Sequence, residues 1–347
     1  SKNIPFVTEA MVVSVTKNKE VYYMSEKEGM VKVSACAIIL AMGCRERPRG
    51  AINIPGTRPA GIFTAGTVQK YVNIDGFMPG KNAVILGSGD IGLIMARRLT
   101  LEGANVKAVC EIMPYSSGLS RNIAQCLDDF KIPLLLSHTV VKTLGDERIT
   151  GVIISKVDET LCPIPGTEEY IECDMLVLSV GLIPENDLST KLCEIDSVTK
   201  GPVVDNFRQT TAEGIFACGN VLHVHDLVDF VSNESRLAGI SAANYILNPI
   251  NTEFKGKVLP SGGVRYIVPQ YFCPQTIDEN TEFFFRVGKP FKNCTLTVSN
   301  SKKVIFTKKL LRAFPGEMEH ISFKGESLEE VQHSEELIFC IENKTEA

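Results

Sequence analysis

Polar and apolar positions alternate near the start of the chain. TEAMVVSV (8–15), EVYYMS (20–25) and MVKVSA (30–35) are short runs rich in β-branched and aromatic residues, separated by turn-like residues such as Lys17-Asn18-Lys19. This spacing predicts a β-meander, and the continuous apolar run AIILAMG (37–43) predicts a buried strand after it. Residues 44–80 lose the pattern. They carry Pro48, Pro55, Pro59, Pro79 and several glycines, which predicts a connector with one short helix near 68–72.

From 82 onward the rhythm changes. An apolar run (AVIL), a glycine turn, a helical stretch (LIMARRLTLEG) and a second apolar run (NVKAVCE) predict strand, turn, helix and strand. A helix over 120–130 and the strand PLLLS (133–137) follow. TVVKTL, ITGVIISKV and EYIEC then predict antiparallel strands before the buried run MLVLSVG (175–181). After a boundary near 184–200, strands are expected around 202–205 and at GIFACG (214–219). A long helix over 226–247 comes next, with Leu227, Phe230, Val231, Leu237 and Ile240 at helical spacing and Asn248-Pro249 as its stop. Beyond Val264 the chain reads as short strands without a helix-length periodic segment, a small β-sandwich of roughly 80 residues. There is no internal repeat and no low-complexity tract.

Composition narrows the function classes. With 347 residues, 44% hydrophobic and 22% charged, the chain is long enough for two or three domains. Thirty-six basic against 41 acidic residues leave a formal charge of -5, which disfavours nucleic acid and anionic membranes as partners. No apolar run reaches the ~18 residues of a membrane span, and SKNIPFVTEA lacks the order of a secretory signal, so a soluble, cytoplasmic protein is expected. Eleven cysteines never fall as C-x-x-C or C-x-C. They read as scattered thiols rather than a disulfide framework, a zinc site or a local redox dithiol.

The candidate chemistry begins at Gly87-Ser88-Gly89-Asp90-Ile91-Gly92, a G-x-G-x-x-G sequence between strand and helix. Gly87 suits the tight turn, Gly89 the close approach of a pyrophosphate to the helix N-terminus, and Gly92 the packing of helix on strand. Glu111 ends the next strand 24 residues after Gly87, close to the ~20-residue offset of the acid that bonds an adenosine ribose. It favours NAD over NADP. The alternatives are a glycine turn that holds no ligand and an exposed strand-end carboxylate.

Three further motifs extend the pattern: Ala41-Met42-Gly43-Cys44-Arg45-Glu46-Arg47-Pro48, Gly181-Leu182-Ile183-Pro184-Glu185 and Ala217-Cys218-Gly219-Asn220. With the 87–92 turn, and in this order, they resemble the pyridine nucleotide-disulfide oxidoreductase class of flavoproteins. In that class a strand ending A-T-G-x-x-x-x-x-P, the NAD fingerprint, G-x-x-P-[EN] and an FAD-binding A-x-G-D follow one another; here Met42 replaces the threonine and four residues rather than five lie between Gly43 and Pro48. The resemblance covers residues 36–247. It implies an α/β fold of two Rossmann-like three-layer dinucleotide-binding domains, the FAD one incomplete and discontinuous, plus a small C-terminal β-sandwich.

The implied domains are 1–79 with 185–258 for FAD, 80–184 for NAD, and 259–347 for the β domain. The implied NAD contacts are Gly87, Ser88, Gly89, Asp90, Ile91, Gly92, Glu111 and Gly181. Those for FAD are Ala41, Gly43, Arg45, Gly219, Asn220, Asp226 and Leu227, the flavin lying over the N-terminus of the helix that starts near Asp226. The segment from Gly219 to Asp229 and the β-rich tail are similar to NAD/FAD subunits of amine, opine or proline dehydrogenase complexes and of glycerol-3-phosphate dehydrogenase-like systems.

Two departures stand out. Asn220 replaces the aspartate that bonds the ribityl chain, and the family's first G-x-G-x-x-G lies further upstream than the 40 residues preceding Ala41 allow, so an N-terminally truncated chain is expected.

His223 and His225 are polar candidates near the flavin. With no third ligand at a recognisable spacing, a pair satisfying backbone carbonyls is expected rather than a metal site, and Asp226 reads as a helix N-cap rather than an acid catalyst. Cys44 and Cys218 fit small buried thiols, with a redox role as the alternative. Arg45 and Arg47 either reach FAD oxygens or solvate their loop. No catalytic residue is assigned.

The expected function is hydride or electron transfer between NAD(H) and FAD in a dehydrogenase, with a small-molecule substrate or a partner dehydrogenase subunit, in a homo- or hetero-oligomer. The alternative is a non-catalytic NAD-binding or docking subunit without flavin.

Overall fold

A computed structural model describes residues 4–248 and 256–343. They form two compact units, one within Arg45–Ile183 and the other within Ser1–Cys44 and Pro184–Ala347.

The Arg45–Ile183 unit is built on a five-stranded parallel sheet. Its strands lie in the order Ile62–Thr64, Met175–Leu178, Asn82–Leu86, Asn105–Glu111 and Leu134–Leu136. Strands buried on both faces need apolar residues at every position rather than at alternate ones, which is why NAVIL and MLVL read as continuous runs. Ala83 and Ile85 face one side, where they pack with Leu93, Met95, Ala96 and Leu99 of the helix Asp90–Leu101. Val84 and Leu86 face the other, against Val140, Val152 and Ile154 of an antiparallel sheet formed by His138–Leu144, Gly151–Lys156 and Glu169–Glu172. The result is a Rossmann-like three-layer sandwich.

Two helices differ from their sequence-based bounds. The short helix spans Ala65–Lys70 and continues as a π turn over Tyr71–Asp75, and the helix expected over 120–130 is an α turn, Ser120–Ile123, followed by a π turn, Ala124–Asp128.

In the second unit the predicted meander is a three-stranded antiparallel sheet of Ala10–Val15, Glu20–Ser25 and Gly29–Ser34. Ile38–Leu40 pairs in parallel with Ile215–Ala217, which places the turn after each strand at the same end of the pair. Residues 202–205 make isolated bridges rather than the expected strand.

The long helix runs from Val228 to Leu247, and Pro249 of its predicted stop lies outside the described residues. Its buried positions are Glu234, Ala238, Ser241 and Ala242, whereas Leu227 and Ile240 are exposed. The apolar repeat in the sequence therefore marks the packed side only in part: Phe230, Val231 and Leu237 are half-buried, and the fully buried positions are small residues and one acid.

The C-terminal segment is a β-sandwich. A five-stranded sheet orders Tyr271–Phe272, Gly256–Gly262, Glu336–Asn343, Phe291–Ser299 and Val304–Ala313, and a three-stranded sheet orders Val264–Val268, Phe283–Val287 and Glu319–Ile321. Phe272, Phe283, Phe285, Phe323 and Phe339 fill the space between them. A helix that the strand pattern hid, Glu326–Gln332, buries only Val331 fully.

Candidate functional site

The glycine turn at 87–92 joins Asn82–Leu86 to the helix Asp90–Leu101, with Gly89 at the N-cap. Gly87 has φ +98° and donates its N–H to Cys110 O at 2.7 Å. A Cβ on Gly87 would stand 2.1 Å from Ser179 O, and one on Gly92 would stand 2.7 Å from Gly87 O and 2.8 Å from Ser179 Cβ. Both positions need glycine for the chain's own packing. Gly89 differs: a Cβ there meets nothing nearer than Ser179 Oγ at 3.7 Å and Ser117 Oγ at 3.8 Å, which is ordinary contact.

Glu111 lies beside this turn and is only 5% exposed. Its Oε2 accepts the Ser88 N–H at 2.9 Å and the Ser88 hydroxyl at 2.5 Å, and its Oε1 accepts the Met113 N–H at 3.0 Å. The reading of an exposed strand-end carboxylate fails on this geometry, since the buried acid clamps the turn. Asp90 accepts the Leu119 N–H at 2.8 Å and Asn122 Nδ2 at 2.7 Å, tying the following loop to the helix start. Ile91 is exposed. Gly181 has φ +95° with nothing within 4 Å of a Cβ, and its carbonyl accepts the Arg47 N–H at 3.0 Å. Arg45 is exposed on the short strand Cys44–Glu46.

In the other unit, Ala41 and Gly43 follow Ile38–Leu40, and Gly219 and Asn220 follow Ile215–Ala217. Gly43 and Gly219 both have φ +72°, and the Gly43 carbonyl accepts the Glu185 N–H at 3.0 Å. The Gly219 N–H donates to Glu234 Oε2 at 2.8 Å. Glu234 is the centre of the region. Its Oε1 takes Arg208 Nε at 2.9 Å and His223 Nε2 at 3.3 Å, and its Oε2 also takes His225 Nε2 at 2.9 Å. A carboxylate offers about four acceptor positions, and here four N–H donors fill them.

The side chains of Arg208, His223, His225 and Glu234 are all essentially buried. Burial pushes His223 down to about 4, so its ring is neutral at pH 7. Burial alone would raise the Glu234 carboxyl, but His223, Arg208 and the ring N–H bonds hold it well below the usual carboxylate range.

Three expectations for this region are corrected. The histidines bond Glu234 rather than backbone carbonyls. A third group for a metal does exist in space, since ligand-capable atoms of His223, His225 and Glu234 lie within 4.8 Å of one another. The donor set nevertheless describes an ion-pair centre. Arg208 already neutralises the carboxylate, and His223 Nδ1 and His225 Nδ1 lack the acceptor partners that a metal-bound imidazole gives its second N–H. Finally, Asp226 does not cap the helix, whose N-cap is Leu227 with no side-chain bond. Its carboxylate instead pairs with Arg286 and accepts the Met318 N–H at 2.6 Å, joining the 223–227 turn to the β-sandwich.

Sequence reasoning missed Arg208 and Glu234. The available signal was Glu234 at i, i+4, i+7 and i+8 with Ala238, Ser241 and Ala242, a charge on a packing face that requires a buried partner. Among the thiols, burial pushes Cys110 up to about 12 and Cys173 to about 11, and it raises Cys218, so these are protonated packing groups.

A parallel sheet with a glycine turn at a helix start, a clamping acid after the next strand, and a second pair of parallel strands ending in positive-φ glycines together define a nucleotide-binding α/β protein. The profile described as pyridine nucleotide-disulphide oxidoreductase matches residues 1–243, and the chain belongs to that family. Its members bind FAD and NAD(P)H.

The chain is 24% identical over 255 residues to an NADH oxidase of Methanocaldococcus jannaschii, covering 70% of this chain and 52% of that one. It is 27% identical over 209 residues to an opine oxidase subunit of Agrobacterium tumefaciens, covering 54% and 39%. It shares its fold with the thioredoxin reductase of T. acidophilum, with a TM-score of 0.55 at 21% identity over 68% of this chain and 74% of that one. The chain spans about half the length of the curated relatives it matches. No helix among the described residues is long and apolar enough to cross a membrane.

Proposed function

We propose that the chain is part of a flavin-dependent oxidoreductase that passes hydride or electrons between NAD(H) and FAD, as one subunit of a dehydrogenase complex. The observation that carries this reading is Gly89. Gly87 and Gly92 are required by the protein's own contacts, whereas at Gly89 a side chain would meet only ordinary neighbours, so its smallness serves a group from outside. A pyrophosphate at the N-terminus of Asp90–Leu101 is such a group, held by backbone N–H donors and the helix dipole.

In this reading residues 80–184 bind NAD(H), through Gly87, Ser88, Gly89, Asp90, Ile91, Gly92, Glu111 and Gly181. Ala41, Gly43, Gly219, Asn220, Asp226 and Leu227 are directed toward FAD, and residues 259–347 belong to the same compact unit as these six. A nicotinamide and a flavin supply the redox chemistry when bound. The chain's part is to orient them and exclude water. Glu111 holds the turn in shape and places negative charge where a 2′-phosphate would come, which favours NAD over NADP. The similarity to one polypeptide of an opine oxidase supports a role beside a second polypeptide.

The uncharged Asn220 favours a second reading, a chain that binds NAD and docks partners without flavin.

The test is Gly89→Val with NADH titrated by fluorescence. We expect affinity to fall at least about tenfold, while stability changes by no more than about 1 kcal/mol. Unchanged affinity sinks the NAD assignment.

A further inference from the structure

The four-donor centre at Glu234 reaches one residue that the resemblance leaves ambiguous. His225, whose ring N–H is anchored on Glu234 Oε2, presents its main-chain N–H to the side chain of Asn220 at 3.1 Å. A backbone N–H can only donate, so the Asn220 atom facing it is the carbonyl oxygen. The amide nitrogen therefore points the other way, where Nδ2 donates to Cys44 Sγ at 3.6 Å. An –NH2 group carries two N–H bonds and no lone pair, and a thiol sulfur is a weak acceptor for one of them. A second N–H remains, at a part-buried position just after the strand Ile215–Ala217.

We infer that Glu234, acting through His225, fixes Asn220 as a hydrogen-bond donor, and that the flavin meets it with an oxygen acceptor. This rests on the flavin reading above and adds the polarity of the contact. An aspartate at this position accepts a hydrogen bond from a ribityl hydroxyl, whereas Asn220 donates one to an oxygen lone pair. The acceptor is an oxygen that carries no hydrogen, either a carbonyl oxygen of the ring or a phosphoryl oxygen. Glu234 is the positioning residue. It holds the His225 ring and the Gly219 N–H on one carboxylate oxygen, so the two backbone segments that flank Asn220 cannot move apart.

Asn220→Asp is the same shape, keeps an oxygen toward the His225 N–H, and turns the donor into an anionic acceptor. Riboflavin, FMN and FAD are titrated into the full chain and this variant, following flavin fluorescence, with thermal melts to confirm folding. The expected result is binding weakened at least about tenfold. A loss seen with all three flavins assigns the acceptor to the ring, and a loss confined to FMN and FAD assigns it to a phosphoryl oxygen. Equal or tighter binding by Asn220→Asp overturns the inference.

The role of Glu234 is read from a double-mutant cycle. Glu234→Gln should weaken flavin binding when Asn220 is present and have no further effect in an Asn220→Ala background; equal losses in both would show a merely structural role. Flavin that does not bind the unsubstituted chain overturns the flavin reading and the ligand half of the inference together. The donor assignment is still tested there by NMR, through the coupling across the hydrogen bond between the His225 amide nitrogen and the Asn220 side-chain carbonyl carbon. Its absence overturns the orientation.

Discussion

The turns at 87–92 and 219–225 both follow a parallel strand and precede a helix, and they are held in opposite ways. The first is held mainly by main-chain geometry: a positive φ at Gly87, two glycines pressed against Ser179 or each other, and one clamping carboxylate, Glu111. The second is held by side-chain charge, with one buried carboxylate collecting an arginine, two imidazoles and a backbone N–H. Steric constraint tolerates a change of charge nearby but not an added carbon. An ion-pair centre tolerates changes of shape but not the loss of a partner.

The sharpest way to break this comparison is Glu234→Ala. Removing the acceptor strands the Arg208 guanidinium and two ring N–H groups in the interior, and we expect a loss of about 3–5 kcal/mol by urea denaturation. A loss below about 1 kcal/mol would mean that water reaches the cluster. Next in size is Gly87→Ala, which combines a positive φ with a Cβ 2.1 Å from a backbone oxygen. It should cost about 2–3 kcal/mol, and melting temperatures of Gly87→Ala and Gly89→Ala, measured side by side, should separate the two positions.

The smallest effect is the pH dependence. The His223 pKa is depressed to about 4 from an ordinary 6.5, so the unfolded chain binds more protons between these values. Stability is complete above about pH 6.5 and falls as pH drops toward 4, with a slope near 1 kcal/mol per pH unit from this residue. Glu234, held below its usual range, adds a loss at still lower pH. Thermal melts of wild type and His223→Asn between pH 7 and pH 5 check the sign, and the variant should show the shallower profile.

Legibility in the sequence follows the same division. The 87–92 turn is readable because its constraints lie within a few residues, and buried parallel strands announce themselves as NAVIL and MLVL. The β-sandwich is readable from strand spacing, but the helix Glu326–Gln332 is hidden because a seven-residue segment with a single fully buried residue has no period to detect. The 219–225 region is half readable. His223 and His225 stand out as a pair, while their partner Glu234 comes from the next helix and Arg208 from before the strand, and no local spacing links them. The long helix is read only in part for a related reason: periodicity weighs large apolar residues, and its fully buried positions are alanine, serine and one paired acid. Asp226 looks like a cap from its place before the helix, yet Arg286 of the β-sandwich claims it.

The filled carboxylate at 234 also bears on how this segment can change over evolutionary time. Each of its donors answers to the same acceptor, so a substitution at Arg208, His223 or His225 alone leaves a charge or a lone pair stranded, and a tolerated variant needs at least one compensating change at the same moment. Such a centre has few single-step neighbours among sequences. The four residues are expected to be inherited as a block, present together or replaced together, even though they are scattered over 27 positions of the chain.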